Sequence, residues 1–150
     1  MRNKVVIALM TNLGCFGFAG AQSNHPCANK ESNREMRECY AAEQARANAQ
    51  VDLLVDEIAS SFRKDAQDSS YGPVVDDLLI KAASSLIESQ KSWRNFRDQH
   101  CRAVEFSFTT GSGAGTAYEA CMLNLAQQRV KDLRNDFGPW KRPSVGKTHK

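Results

Sequence analysis

Apolar positions recur at helical spacing in three long runs, separated by two short breaks. In the first run Val51, Leu54, Val55, Ile58 and Phe62 fall at i, i+3, i+4, i+7 and i+11, one face of a helix. The stretch upstream lacks Gly and Pro and is rich in Ala, Glu, Gln and Arg. It opens with Ser32 and Glu35, spaced as a capping box in which each side chain can satisfy the other's backbone N–H. The pattern predicts a helix over about 32–65. A polar break from Gln67 to Gly72 follows. Pro73 then fits a first helical turn, where Asp76 and Asp77 favour the positive end of the dipole. Val75, Leu79, Ala82, Leu86, Gln90, Trp93 and Arg97 form the second stripe, widened by Leu78, Ala83, Ile87 and Phe96, and predict a helix over about 73–106. Ser107 to Gly115 reads as a loop with three glycines. Thr116 and Glu119 form a second capping box, opening a third helix through Tyr118, Cys121, Met122, Leu125, Arg129 and Leu133 to the Gly138-Pro139 stop.

No alternating strand pattern and no internal repeat interrupts this order. Three helices of roughly 33, 34 and 22 residues on short connections predict an all-α, antiparallel three-helix bundle. The first helix would be about 50 Å long, so the bundle is expected to be elongated, with a thin core.

The N-terminus changes the context. Arg2 and Lys4 precede a mostly apolar stretch from Val5 to Phe18, and Ala19-Gly20-Ala21 offers a cleavage site. This is the pattern of a secretory signal peptide over 1–21, cut after Ala21. Thr11, Asn12 and Gly14 break the apolar stretch, which argues against a membrane anchor. Leu13-Gly14-Cys15 partly matches a lipobox, but Asn12 stands where an aliphatic residue is expected, so a lipoprotein anchored at Cys15 is the less favoured reading. The expected organisation is a leader, a helical domain over 22–140 and a basic tail over 141–150. The fate of the chain is then periplasmic or secreted, where disulfides persist. Removing the leader leaves Cys27, Cys39, Cys101 and Cys121. Four cysteines allow three connectivities. Cys27–Cys39 and Cys101–Cys121 are favoured, because each closes by a local chain reversal.

Composition adds bounds. Hydrophobic residues make up 41% and charged residues 25% of the 150, as in a folded globular chain. The net charge of +3 includes +2 from the first ten residues and +4 from the last ten, so the body between is −3. That balance gives little support to nucleic-acid binding. No C-x-x-C occurs, and His25, His100 and His149 are scattered, so no metal and no cofactor are expected. The Gly111–Gly115 run follows a helix and lacks the Gly-Lys-Ser/Thr ending of a phosphate loop, and no G-x-S-x-G elbow is present. Nothing makes a positive case for an enzyme.

The most distinctive segment is Trp93-Arg94-Asn95-Phe96-Arg97-Asp98-Gln99-His100-Cys101. Trp93 and Phe96, three apart, are expected to anchor the core. Arg97 and Asp98 are placed to pair with a neighbouring helix, with Arg129 as the candidate partner of Asp98. Trp93-x-x-Phe96-Arg97-Asp98-x-x-Cys101, then Gly111-Ser112-Gly113, Cys121 and Arg129, with Cys27 and Glu35-Met36-x-x-Cys39 upstream, resembles the lysozyme-inhibitor LprI-like family of small exported bacterial proteins. The likeness spans about 27–133. The chain departs from it at Val51–Val55, where relatives often carry Leu-Asn-x-x-Tyr, and at Ala126, where they often carry Thr. The resemblance implies a helical fold and a protein partner, a c-type lysozyme, that the domain would bind and occlude.

Two further readings compete: a periplasmic structural or interaction module without inhibitory activity, and a small-molecule carrier, which a low aromatic content of 8% does not favour. A c-type lysozyme is cationic, so an acidic surface would speed its capture. Asp65, Asp68, Asp76 and Asp77 cluster around the first break, with Tyr71 as an aromatic anchor, and form the favoured partner surface. The second break offers Ser112 with neighbouring hydroxyls on a Gly-rich loop.

Overall fold

The computed structural model describes residues 25–68, 72–109 and 111–138. The leader over 1–21, Cys15, Tyr71 and the basic tail all lie outside these residues. A short 3-10 turn at Pro26–Asn29 precedes α1 (Asn33–Gln67), α2 (Pro73–Ser107) and α3 (Ala114–Phe137), and no strand is present among the described residues. The helices have 35, 35 and 24 residues, so α1 and α2 each extend about 50 Å. They form the elongated all-α bundle that the periodicity predicts.

Local chemistry sets the boundaries. At the start of α1, Ser32 Oγ accepts from the Glu35 amide at 3.2 Å, the Ser half of the expected capping box. Gly72 caps α2 with φ at 89°, a conformation that glycine reaches without a steric penalty, and Pro73 follows in the first turn. The third start corrects the sequence reading. α3 opens at Ala114, two residues before Thr116, because the Gly113 carbonyl already accepts from the Ala117 amide at 2.9 Å. Thr116 therefore lies inside the helix, and its hydroxyl donates across to the Asn33 carbonyl at 3.0 Å. Ala114 and Gly115 belong to the first turn of α3 and not to the loop. The missing Cβ at Gly115 also admits Arg37: a Cβ there would sit 3.1 Å from the Arg37 Cδ.

The core divides into two clusters along the bundle. One gathers Val51, Val55, Ala59 and Phe62 of α1 with Leu79, Ala83 and Leu86 of α2 and Val130 and Leu133 of α3. The other holds Cys27, Tyr40, Ala47, Leu123 and Ala126. Much of this interior is Ala or Val, which brings helices close but buries little area per residue. The two disulfides, Cys27–Cys39 and Cys101–Cys121, supply what the side chains do not. Cys27 and Cys101 are fully buried, so each bridge is also a packed core element. The first ties the 3-10 turn to α1, where His25 also stacks on Tyr40 with ring centroids 5.2 Å apart.

Trp93 is half-buried and packs against both clusters, so it joins them. Phe96, expected beside it as an anchor, is 54% exposed. The reason is angular. Leu79, Ala83, Leu86, Gln90, Arg97 and Cys101 mark the buried line of α2. At about 100° per residue, Phe96 falls roughly 100° off that line, as does Leu78, which is also exposed. Phe96 instead stacks on His100 at the surface, with centroids 5.5 Å apart.

Between the clusters the helices are joined by a polar layer. Arg97 is only 8% exposed. Its Nη1 donates to Asn48 Oδ1 of α1 at 2.6 Å, and its Nε and Nη2 donate to Asp98 Oδ1 at 2.9 and 2.7 Å. Arg129 of α3 does not meet Asp98. Its Nε donates to Gln90 Oε1 at 3.2 Å, because Gln90 lies on the buried line of α2 while Asp98 sits at its edge. Both guanidinium groups lie near the Trp93 ring, at 5.1 Å for Arg97 and 5.8 Å for Arg129.

Candidate functional site

An up-down-up bundle has two ends, and each carries one of the surfaces read from the sequence. At the α1–α2 end, Asp65 is 3% exposed and belongs to the interior, so it presents no charge to a partner. Its position explains this: it follows Phe62 by three residues and continues the buried face of α1. Asp76 is half-buried in the first turn of α2. Asp68 and Asp77 are exposed, and Asp77 pairs with Lys81 at 2.6 Å. The acidic surface expected here is therefore reduced to two outward carboxylates.

The opposite end is richer. Asn33 Nδ2 donates to Ser112 Oγ at 3.1 Å, and with the Thr116 hydroxyl on the Asn33 carbonyl this pins the α2–α3 loop to the start of α1. A cavity of about 210 Å³ opens there, lined by Arg34, Arg37, Ser112 and Thr116 among others. Along the start of α1, Lys30, Glu31, Glu35 and Glu38 line an open groove of about 660 Å³ beside Cys39, with Glu38 paired to Arg34 at 2.9 Å. Phe106, 70% exposed, and Phe108, also exposed, stand out at the end of α2. Neither was singled out in the sequence, although Phe106 lies opposite the buried line of α2 at helical spacing.

The backbone just after Phe108 is strained. Thr109 has φ at 52°, in the left-handed region that a β-branched residue rarely enters. Its amide donates to the Phe106 carbonyl at 3.0 Å, and the Gly111 amide donates to the Phe108 carbonyl at 2.9 Å. These bonds hold the strained turn, the kind of feature that gathers at functional surfaces. Nearby on α3, burial pushes the Glu119 carboxyl above its usual range. Arg37 opposes that shift, and Glu105 adds to it.

Among the described residues, no group of three or more His, Cys, Asp or Glu side chains is arranged to hold a metal ion. No helix among them is long and apolar enough to cross a membrane. The Trp93 to Cys101 segment proves to be the hub of the bundle, with Trp93, Arg97 and Cys101 turned inward and Asp98 bound to Arg97.

Residues 27–133 match the family of lysozyme inhibitor LprI. The chain belongs to that family. The match begins at the first disulfide cysteine and ends at Leu133, so it takes in both bridges, the polar layer and the α2–α3 loop. No curated protein and no solved structure matches the chain. In this LprI-family chain the α2–α3 loop end carries the exposed Phe106 and Phe108, the Ser112 and Thr116 hydroxyls, and acids and bases together on the start of α1.

Proposed function

We propose that this chain is an exported LprI-type inhibitor that binds a c-type lysozyme and occludes its substrate cleft. The observation that carries the reading is the family match over residues 27–133, which takes in both disulfides. Two buried bridges support export, since such bonds persist in oxidising compartments. The leader-like pattern over 1–21 supports it as well.

The contact surface in this reading is the loop end. Phe106 and Phe108 supply apolar area, and Ser112 and its neighbours supply neutral hydrogen-bonding atoms, while Glu31, Glu35 and Glu38 are interleaved with Lys30, Arg34 and Arg37, Glu38 being paired with Arg34 at 2.9 Å. The α1–α2 end carries exposed Val74 and Leu78, an interior Asp65 and an Asp77 paired with Lys81, but no exposed aromatic ring among the described residues. Binding of purified, oxidised protein to a c-type lysozyme, followed by biosensor at several salt concentrations, tests the proposal. The expected result is saturable one-to-one association that slows as salt rises. Absence of association at low salt overturns it and leaves the periplasmic interaction module as the better reading.

A further inference from the structure

A second site lies on the side of the bundle, away from both ends. A groove of about 360 Å³ runs between α1 and α2, within the size range of small-ligand pockets. Val55 and Ile87 give it an apolar floor. Asp52 and Asp56, one turn apart, form the α1 lip, and Lys91 and Arg94 form the α2 lip.

Gln90 also lines the groove, although its residue is only 5% exposed. Its Oε1 is taken by Arg129 Nε at 3.2 Å. That fixes the amide orientation, since the reverse would set two donors against each other. The Gln90 Nε2 is buried and has no hydrogen-bond partner. A buried donor without an acceptor is costly, and it is the kind of exception that calls for an explanation. Of the charges on the lips, Arg94 is held by Asp52 and Lys91 by Glu88. Asp56 is exposed and makes no ion pair among the described residues. The groove therefore has one unpartnered donor buried in the residue that forms its wall, one exposed carboxylate on its lip and an apolar floor.

We infer that this groove binds the α-amino end of an amino acid or peptide: the ammonium on Asp56, an acceptor oxygen on Gln90 Nε2 and an apolar side chain over Val55 and Ile87. A free amino acid would offer its carboxylate to Gln90, and a peptide N-terminus its first carbonyl. The inference does not depend on lysozyme binding.

Nitrogen-15 NMR of the full oxidised chain tests it, with leucine, leucinamide and N-acetylleucine as probes. The Gln90 side-chain amide signals are expected to shift saturably with leucine or leucinamide at millimolar concentrations, and not with N-acetylleucine, which lacks the ammonium. Leucine far above leucinamide indicates a free amino acid, and equal responses indicate a peptide end. Asp56→Asn, a surface change that leaves the core intact, should weaken binding about two- to fivefold, as loss of a solvent-accessible ion pair does. The inference is overturned if no probe moves the Gln90 signals, if N-acetylleucine binds as well as leucine, or if Asp56→Asn binds like wild type.

Discussion

Arg97 of α2 donates to Asn48 of α1 at 2.6 Å, across 49 positions of sequence, joining a buried guanidinium to a half-buried amide. A fork that also reaches Asp98 and lies by Trp93 does what a lysine could not. Arg97→Lys should therefore cost about 1–3 kcal/mol, the range for leaving buried polar groups unsatisfied. Asn48→Leu alone should cost a similar amount. The pair Asn48→Leu with Arg97→Met should be closer to wild type than the sum of Asn48→Leu and Arg97→Met taken singly, because a buried polar pair replaced by apolar volume is often neutral. Urea unfolding of the four proteins in the cycle measures this.

Trp93 and Phe96 share a motif but not a role. Trp93→Ala removes the ring that joins the two core clusters and should cost about 3 kcal/mol. Phe96→Ala removes a surface ring stacked on His100 and should stay within about 0.5 kcal/mol of wild type. Thermal unfolding of both variants checks the contrast, and equal losses would contradict the assignment of Phe96 to the surface.

The disulfides close loops of 12 and 20 residues, each worth about 3 kcal/mol in the chain-entropy picture. Replacing either pair by alanine should lower the melting temperature strongly, and replacing both should leave a chain that no longer unfolds cooperatively at ambient temperature. Circular dichroism with and without reductant reads the effect.

Glu119 sets a pH dependence. Burial raises its carboxyl above the ordinary 4.5, so the folded state binds this proton more tightly than the unfolded state does. Its favourable contribution is present at pH below 4.5 and is lost as pH rises through the elevated folded value. At neutral pH Glu119→Gln should be more stable than wild type, and the difference should shrink on acidification toward 4.5. Melting curves of the two proteins across that interval test the sign.

Much of the fold is legible in the sequence because its signals are local. The apolar stripes place α1 and α2 within about two residues of their ends, and Pro73 and Gly72 mark a start that backbone chemistry alone requires. The start of α3 is misread because Thr116 has a capping composition, while its hydroxyl is drawn to Asn33 of another helix. Asp65 shows a readable signal that was outweighed: its spacing from Phe62 places it on the apolar face, but its charge suggests the surface. The pairing of Arg129 with Gln90 and of Arg97 with Asn48 could not be read, since both depend on how three helices are rotated against one another. The loop-end surface is hidden for the same reason, since residues near 31–38 meet residues near 112 only when the chain is folded.

A lysis assay addresses the central claim most directly. Suspended bacterial cell walls are treated with a c-type lysozyme after incubation with the purified, oxidised chain, and the fall in turbidity is followed. The account predicts that lysis slows in proportion to added protein and stops near equimolar ratio, and that Phe106→Ser with Phe108→Ser, two exposed changes, releases the inhibition while Asp68→Asn with Asp77→Asn keeps it. Lysis at the full rate in the presence of excess folded protein would contradict the account.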